Sequence, residues 1–189
     1  DYNELSQFKE IGVGSGGAIV YKALWKNETV AVKVFRRTLF QSEQDLKQFE
    51  QEIQLLATLR HPHIVTFYGI SVHNIKIALV MEYCSQGSLS RSIKKRGTMD
   101  WKRKLELLLH IAKGMRFLHQ SNIIHRDLKA ENVLIDAAGV AKIADFGVST
   151  TKGNARMTNA VGTQVYMAPE VAMHEFYDEK CDVFSFAIL

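Results

Sequence analysis

His125-Arg126-Asp127-Leu128-Lys129-Ala130-Glu131-Asn132, with Asp145-Phe146-Gly147 a short way further on, is the stretch that decides how this chain is read. Between the two, Val133 to Ile135 and Val140 to Ala144 run apolar on either side of Asp136-Ala137-Ala138-Gly139, so the segment reads as strand, turn, strand. A hairpin of that kind carries Asp145 back beside Asn132. The residue types then make chemical sense together. Asp127 is an aspartate that can orient a hydroxyl, Asn132 and Asp145 are oxygen donors for a divalent cation, and Lys129 sets an ammonium beside the acid. These are the parts of a phosphoryl-transfer site, where positioning and charge neutralisation carry most of the catalysis.

The two motifs, H-R-D-L-x-x-x-N and D-F-G, resemble the catalytic and magnesium-binding loops of eukaryotic protein kinases. The resemblance implies an α+β, bilobal fold. Residues 1–83 would form a small β-rich lobe with one main helix, and residues 84–189 a mostly helical second lobe, truncated within the helix after Ala168-Pro169-Glu170. It also implies ATP and Mg2+ as cofactors and a protein as substrate. The Leu-Arg-His-Pro-His-Ile-Val stretch from Leu59 and the short Gln86-Gly87-Ser88-Leu89 hinge exit are similar to the tyrosine-kinase-like group.

Bulk properties agree with a globular catalytic segment. The chain has 189 residues, 47% hydrophobic and 23% charged, which supports a packed core and excludes a disordered or fibrous chain. A net charge of +4, with basic and acidic residues interspersed, indicates no dedicated nucleic-acid surface. The apolar run Ile77 to Met81 is far shorter than the ~18 residues of a membrane span, and no secretory signal opens the chain. Beginning at Asp1, it reads as an excised segment, with membrane tethering left to regions outside it. Cys84 and Cys181 lack metal spacing or a disulfide framework, which fits ordinary thiols in a reducing, cytoplasmic setting.

In the first lobe, Gly12-Val13-Gly14-Ser15-Gly16-Gly17 is followed by strand-like runs rather than by a helix, and an acid at dinucleotide-binding distance is replaced by Lys33. Lys33 ends the apolar run Val30-Ala31-Val32, and a cation buried alone is costly, so an anionic partner is expected. The resemblance supplies one in the ATP phosphates, beneath a loop of Ile11, Gly12, Gly14 and Gly17, with Ala31 lining the base. The adenine cap falls on Ile19 by distance from the last glycine and on Val20 by the Val-Tyr-Lys run. Those positions face opposite sides of a strand, and the sequence leaves both open. Residues 42–60 read as a helix, opened by a Ser42/Asp45 capping box and ended before Pro62, with Phe49, Ile53, Leu56 and Leu59 on its apolar face. By resemblance Glu52 pairs with Lys33, and Leu56, Phe67, His125 and Phe146 stack into a column.

By the same resemblance Met81 would back the adenine pocket, the Glu82 carbonyl and Cys84 amide would bond the base, and Leu134 would belong to the same cofactor site. Trp101 to His119 reads as an amphipathic helix with Leu105, Leu108, Leu109, Ala112, Met115 and Leu118 as its core face. In the family pattern His125 packs instead of acting as a base. Asp127 takes or orients the hydroxyl proton, Lys129 reaches the γ-phosphate, and Thr163 bonds Asp127 and Lys129. Lys129 and Gly162-Thr163 point to serine/threonine transfer. Residues 147–170 suit an activation loop, with Thr158, then Ser149, Thr150 and Thr151, as sites for an upstream kinase or self-phosphorylation and Arg126 as the phosphate partner. Asp182 steadies the catalytic loop, and Glu170 lacks its usual arginine, so the segment alone is expected to be marginally stable with an apolar last helix. The alternatives are a nucleotide-binding pseudokinase scaffold and a dual-specificity or tyrosine kinase.

Overall fold

The computed structural model describes residues 2–14, 17–36, 43–73, 76–96, 99–145, 150–151 and 162–189. By contact it divides into two units, Asp1–Arg60 with Val65–Cys84, and His61–Ile64 with Ser85–Leu189. The division therefore falls one residue later than the sequence reading, and four residues of the first half, His61–Ile64, go with the second unit.

In the first unit, β1 (Leu5–Val13), β2 (Ile19–Trp25), β3 (Glu28–Arg36), β4 (Phe67–His73) and β5 (Lys76–Glu82) form one antiparallel sheet in the order β1-β2-β3-β5-β4. Alternation of β-branched and small residues sets its two faces. Leu5, Ala23, Val30, Val32, Val34, Ala78 and Val80 form a core on one face, with Tyr2, Tyr21 and Trp25 packed against it. The β2–β3 turn is Lys26-Asn27 with φ of 49° and 67°, the left-handed pair that matches the twist of a two-residue hairpin. Helix α1 (Glu43–Thr58) packs on β4 and contributes Phe49, whose ring meets Phe35 edge-on at 5.4 Å. The capping pair Ser42/Asp45 lies outside the described residues and side chains.

The second unit is built on α3 (Trp101–Gln120), preceded by β6 (Gly87–Ser88) and α2 (Leu89–Arg96). Asp100 caps α3 by accepting from the Arg103 amide at 2.7 Å. After it come β7 (Ile123–Ile124), β8 (Val133–Ile135), β9 (Ala141–Ile143), β10 (Thr150–Thr151), α4 (Pro169–Ala172) and α5 (Lys180–Ile188). β6, β8 and β9 form a small sheet, and β10 pairs with β7. Among the described residues no helix is long and apolar enough to cross a membrane.

The buried face of α3 differs from the expected one. Leu107, Ile111, Gly114, Met115 and Leu118 are inside, while Leu105 and Leu109 are 50% and 54% exposed and Ala112 is exposed. The helix carries apolar residues at two overlapping helical spacings, and the side chosen is the one that packs on β9 and β7. Val183, Phe184 and Ile188 of α5 are exposed, as expected for the last helix.

Gly114 marks the closest approach. A Cβ there would lie 2.8 Å from both the His63 carbonyl oxygen and Ile143 Cδ1. That carbonyl accepts from the Ile143 amide at 2.9 Å, so it is not free to move aside. Alanine in a helix interior ordinarily gains about 1 kcal/mol over glycine. Here overpacking reverses the sign, and Gly114→Ala is expected to lower stability by about 1–3 kcal/mol in urea unfolding. Unchanged or raised stability would contradict this packing.

Candidate active site

Strand β7 delivers the chain into His125 and Arg126, whose φ of 67° turns it sharply. A sharp turn inside a fold leaves amide donors that need partners. Asp182 of α5 provides them, accepting from the His125 amide at 2.9 Å and the Arg126 amide at 2.8 Å. His119 Nε2, at the end of α3, lies 2.8 Å from the same carboxylate. Asp182 is 1% exposed. Burial alone would push its carboxyl up, but the His119 bond and the two amides outweigh burial and hold it below the usual carboxylate range. The His125 ring is itself fixed. Its Nδ1 accepts from the Asp127 amide at 3.2 Å, which puts the ring proton on Nε2, 3.1 Å from the Ala144 carbonyl. His125 thus ties the loop to the strand end before Asp145, while its expected packing partner Phe146 lies outside the described residues.

Because the folded Asp182 carboxyl is lowered, its contribution to stability is present above the ordinary carboxylate pKa of about 3.9 and is lost as pH falls through the folded value. Asp182→Asn is expected to cost about 1.5–3 kcal/mol at pH 7, since an amide turns one donor toward another. The gap between parent and variant in urea unfolding should hold from pH 7 to about 4 and narrow below that. A gap independent of pH throughout would show that the charge is immaterial.

The loop so held presents a closed triangle of side chains. Lys129 Nζ donates to Asp127 Oδ2 and to Thr163 Oγ1, each at 2.6 Å, and Thr163 Oγ1 donates to Asp127 Oδ1 at 2.7 Å. Asn132 Nδ2 donates to the Asp127 carbonyl at 2.8 Å and to its Oδ2 at 2.9 Å. Asp127 Oδ2 therefore takes two donors and Oδ1 one from these groups, which leaves an acceptor position on Oδ1. Thr163 reaches this place because Gly162, with φ of +116°, lies against Arg126. A Cβ on Gly162 would overlap the Arg126 carbonyl oxygen, a close approach only glycine allows. Ser185 Oγ then donates to the Tyr166 carbonyl at 2.7 Å and fixes the turn Gln164–Tyr166 to α5.

Asn132 and Asp145 come together as the hairpin reading requires. Val133 pairs with Ile143, and the Ala144 amide donates to the Asn132 carbonyl at 2.8 Å, which sets Asp145 one residue beyond Asn132's partner. With Nδ2 committed to Asp127, Asn132 has its amide oxygen left to offer a cation. Among the described residues no cluster of three or more His, Cys, Asp or Glu suits a metal. An Asn–Asp pair instead suits Mg2+, which keeps waters and shares phosphate oxygens. Phe146, Gly147, Ser149 and Thr158 lie outside the described residues. Thr150 and Thr151 pair through their backbone with Ile124 and Ile123.

In the first unit, Lys33 is 9% exposed, with Nζ 5.4 Å from the Phe35 ring centre. A Cβ on Gly14 would stand 2.9 Å from Lys33 Cε, so the Gly14 backbone lies directly against the lysine stem. The Gly14 amide closes the glycine loop on the Ala18 carbonyl at 2.8 Å. Strand register settles a point the sequence left open. Val20 pairs with Lys33 and Ile19 with Val34, so Val20 shares the face of Lys33 while Ile19 looks to the opposite side. Ala31 and Met81 pair on the Lys33 face, and Glu82 exchanges backbone and side-chain bonds with Thr66. Cys84 is buried, Ile11 exposed and Leu134 half-buried. Side-chain contacts of Glu52, and with them the Lys33–Glu52 pair, lie outside the described residues.

Residues 5–189 match the protein kinase domain family. The chain belongs to the protein kinase family. It is similar to a putative serine/threonine-protein kinase/receptor, R818, of Acanthamoeba polyphaga mimivirus, 41% identical over 100% of this chain and 11% of the relative. It is also similar to serine/threonine-protein kinase CTR1 of Arabidopsis thaliana, 39% identical over 98% of this chain and 23% of the relative. Dual specificity protein kinase shkB of Dictyostelium discoideum is 37% identical over 100% of this chain and 30% of its own length. The chain thus spans a third or less of these relatives. Within this kinase segment, two features escaped sequence reasoning. His119 as a third partner of Asp182 carried no signal, since a histidine near a helix end has many uses. Asn132 as a brace on Asp127 was hidden behind its role as a metal donor.

Proposed function

We propose that this domain transfers the γ-phosphate of Mg-ATP to serine and threonine hydroxyls of protein substrates. The observation that carries the reading is the Asp127–Lys129–Thr163 triangle, braced by Asn132. In this reading the substrate hydroxyl docks on Asp127 Oδ1, the oxygen with an acceptor position left. Asp127 orients the hydroxyl and takes its proton as the new O–P bond forms and the bond from the γ-phosphorus to the bridging oxygen breaks. Lys129, already fixed by two acceptors, faces the charge that builds on the transferred group. Mg-ATP supplies the phosphoryl group and the cation that neutralises its oxygens. Asn132 and Asp145 would hold that cation. Lys33, under the Gly14 backbone, would hold phosphate oxygens, with Ile11, Gly12, Gly17, Val20, Ala31, Met81, Glu82, Cys84 and Leu134 about the nucleotide and Glu52 steadying Lys33.

Lys129 and Thr163 favour serine/threonine transfer, because both match the serine/threonine pattern that the sequence resembles. Phosphorylation of the loop at Thr158 by an upstream kinase or by the domain itself, answered by Arg126, is the regulation this reading adds. The relatives named as serine/threonine kinases support the class. Incubation with Mg-ATP and a generic protein substrate, followed by phospho-amino-acid analysis, tests it. Phosphoserine or phosphothreonine is expected, reduced about 10²–10⁴-fold in Asp127→Asn. Phosphotyrosine alone, or no transfer by a folded protein that binds nucleotide, would overturn it.

A further inference from the structure

We propose that the imidazoles of His61, His63 and His110 form a proton-sensitive clip that fastens segment 61–64 to α3 and β9 and lets it go on acidification. The segment belongs to the second unit by contact, yet the chain on both sides of it belongs to the first. Something must therefore hold these few residues against α3. The Ile143 amide on the His63 carbonyl and the Ile64–Ile143 bridge are part of it, and four rings are the rest that the side chains supply. His61 stacks on Phe117 at 4.8 Å and 16°, His63 stacks on His110 at 4.5 Å and 18°, and His61 and His63 lie 5.4 Å apart.

The hydrogen bonds fix which nitrogens can carry protons. The His63 amide donates to His61 Nδ1 at 3.2 Å, and the Ala141 amide donates to His110 Nδ1 at 3.3 Å. Both Nδ1 atoms must be bare to accept. His63 Nδ1 faces the Ala141 carbonyl at 3.2 Å and so carries its proton there. Ala141 is thus gripped on both its polar atoms by two stacked imidazoles. A proton added to His61 or His110 at Nδ1 would set N–H against N–H, losing a hydrogen bond and placing a cation in the stack.

The surroundings give that cation little relief. From α3 the stack meets Lys113 and Arg103, with Glu106 the one acid, and Glu106 already pairs with Arg103 at 3.2 Å. From the β8–β9 hairpin it meets Lys142 and Asp136, and Asp136 accepts from the Val140 amide at 2.9 Å. Burial, then neighbouring positive charge, holds His61 below the ordinary histidine pKa. Burial lowers His63 too, against the Ala141 bond that raises it, and lowers His110 along with Arg103 and Lys113. Parallel stacked rings do not converge on a common point, and among the described residues no metal-binding cluster includes them.

With folded values lowered, the stabilisation is complete above the ordinary histidine pKa of about 6.5 and is lost as pH falls through the folded values. The clip depends on no catalytic residue, so it stands apart from the proposed phosphoryl transfer. Asparagine offers an amide oxygen where histidine has Nδ1, so His61→Asn and His110→Asn keep an acceptor that does not titrate. The test compares thermal midpoints of the unaltered protein and the double variant from pH 7.5 to 5.5. It also follows the histidine ring signals of the unaltered protein by NMR. The unaltered midpoint is expected to fall by about 4 °C or more, and the double variant to lose at least half of that fall. The His61 and His110 rings are expected to titrate below pH 6.5. An equal fall in the double variant, or ring midpoints at or above 6.5, would overturn the clip. If the double variant fails to fold, the ring midpoints decide alone.

Discussion

Everything in the second unit that can do chemistry hangs on one buried carboxylate. Asp182 accepts two consecutive amides, from His125 and Arg126, at the turn that launches the catalytic loop. Without it those donors would be buried and unpaired, at a cost of about 1–3 kcal/mol each. With it the backbone conformation of Arg126 is held at positive φ, and Asp127 follows in a fixed direction. His125 passes the constraint on to the Ala144 carbonyl and so toward Asp145. The loop is thus over-determined, which lets a non-glycine residue stay in a left-handed conformation beside the reacting groups.

Asp127 is equally constrained from the side-chain end. Lys129, Asn132 and Thr163 between them occupy three of its acceptor positions, and Gly162 brings Thr163 close enough by having no side chain. Lys129 and Asn132 come from one turn of the loop itself, closed by the Asn132 amide on the Lys129 carbonyl at 3.0 Å, and Thr163 from a segment far along the chain. A geometry of this kind needs no large motion of the acid, because its rotamer is already selected by these partners. Cys181, packed with Ile124 and Val171 nearby, takes no part: burial pushes its thiol up to about 12 and keeps it inert.

The sequence made the chemistry legible wherever function demands particular residue types at fixed spacing. The hairpin returning Asp145 to Asn132 could be read from apolar runs around Asp136 to Gly139, and the Asp127, Lys129 and Thr163 association from their motifs. What was hidden depended on choices between near-equal alternatives. Ile19 and Val20 are both apolar and half-buried, and only pairing with Val34 and Lys33 tells which faces the lysine. On α3, Met115 and Leu118 are buried as expected, but Leu105 and Leu109 are not, since they match helical spacing as well as Leu107 and Ile111 do. Gly114, at which a Cβ would meet the His63 carbonyl and Ile143, gave no sign of this contact in the sequence. The His61–His63–His110 stack left no periodic trace, because His110 lies far along the chain from His61 and His63.

The central claim is that Thr163 and Lys129 hold Asp127 for phosphoryl transfer and not for binding. Single-turnover transfer from bound Mg-ATP in Thr163→Val, measured beside nucleotide affinity, addresses it most directly, since valine keeps the shape and removes only the hydroxyl. The account predicts a transfer rate lowered by about tenfold or more, the equivalent of about 1.4 kcal/mol at the transition state, with nucleotide affinity unchanged. A transfer rate equal to that of the parent, or a loss that merely follows weakened nucleotide binding, would contradict it.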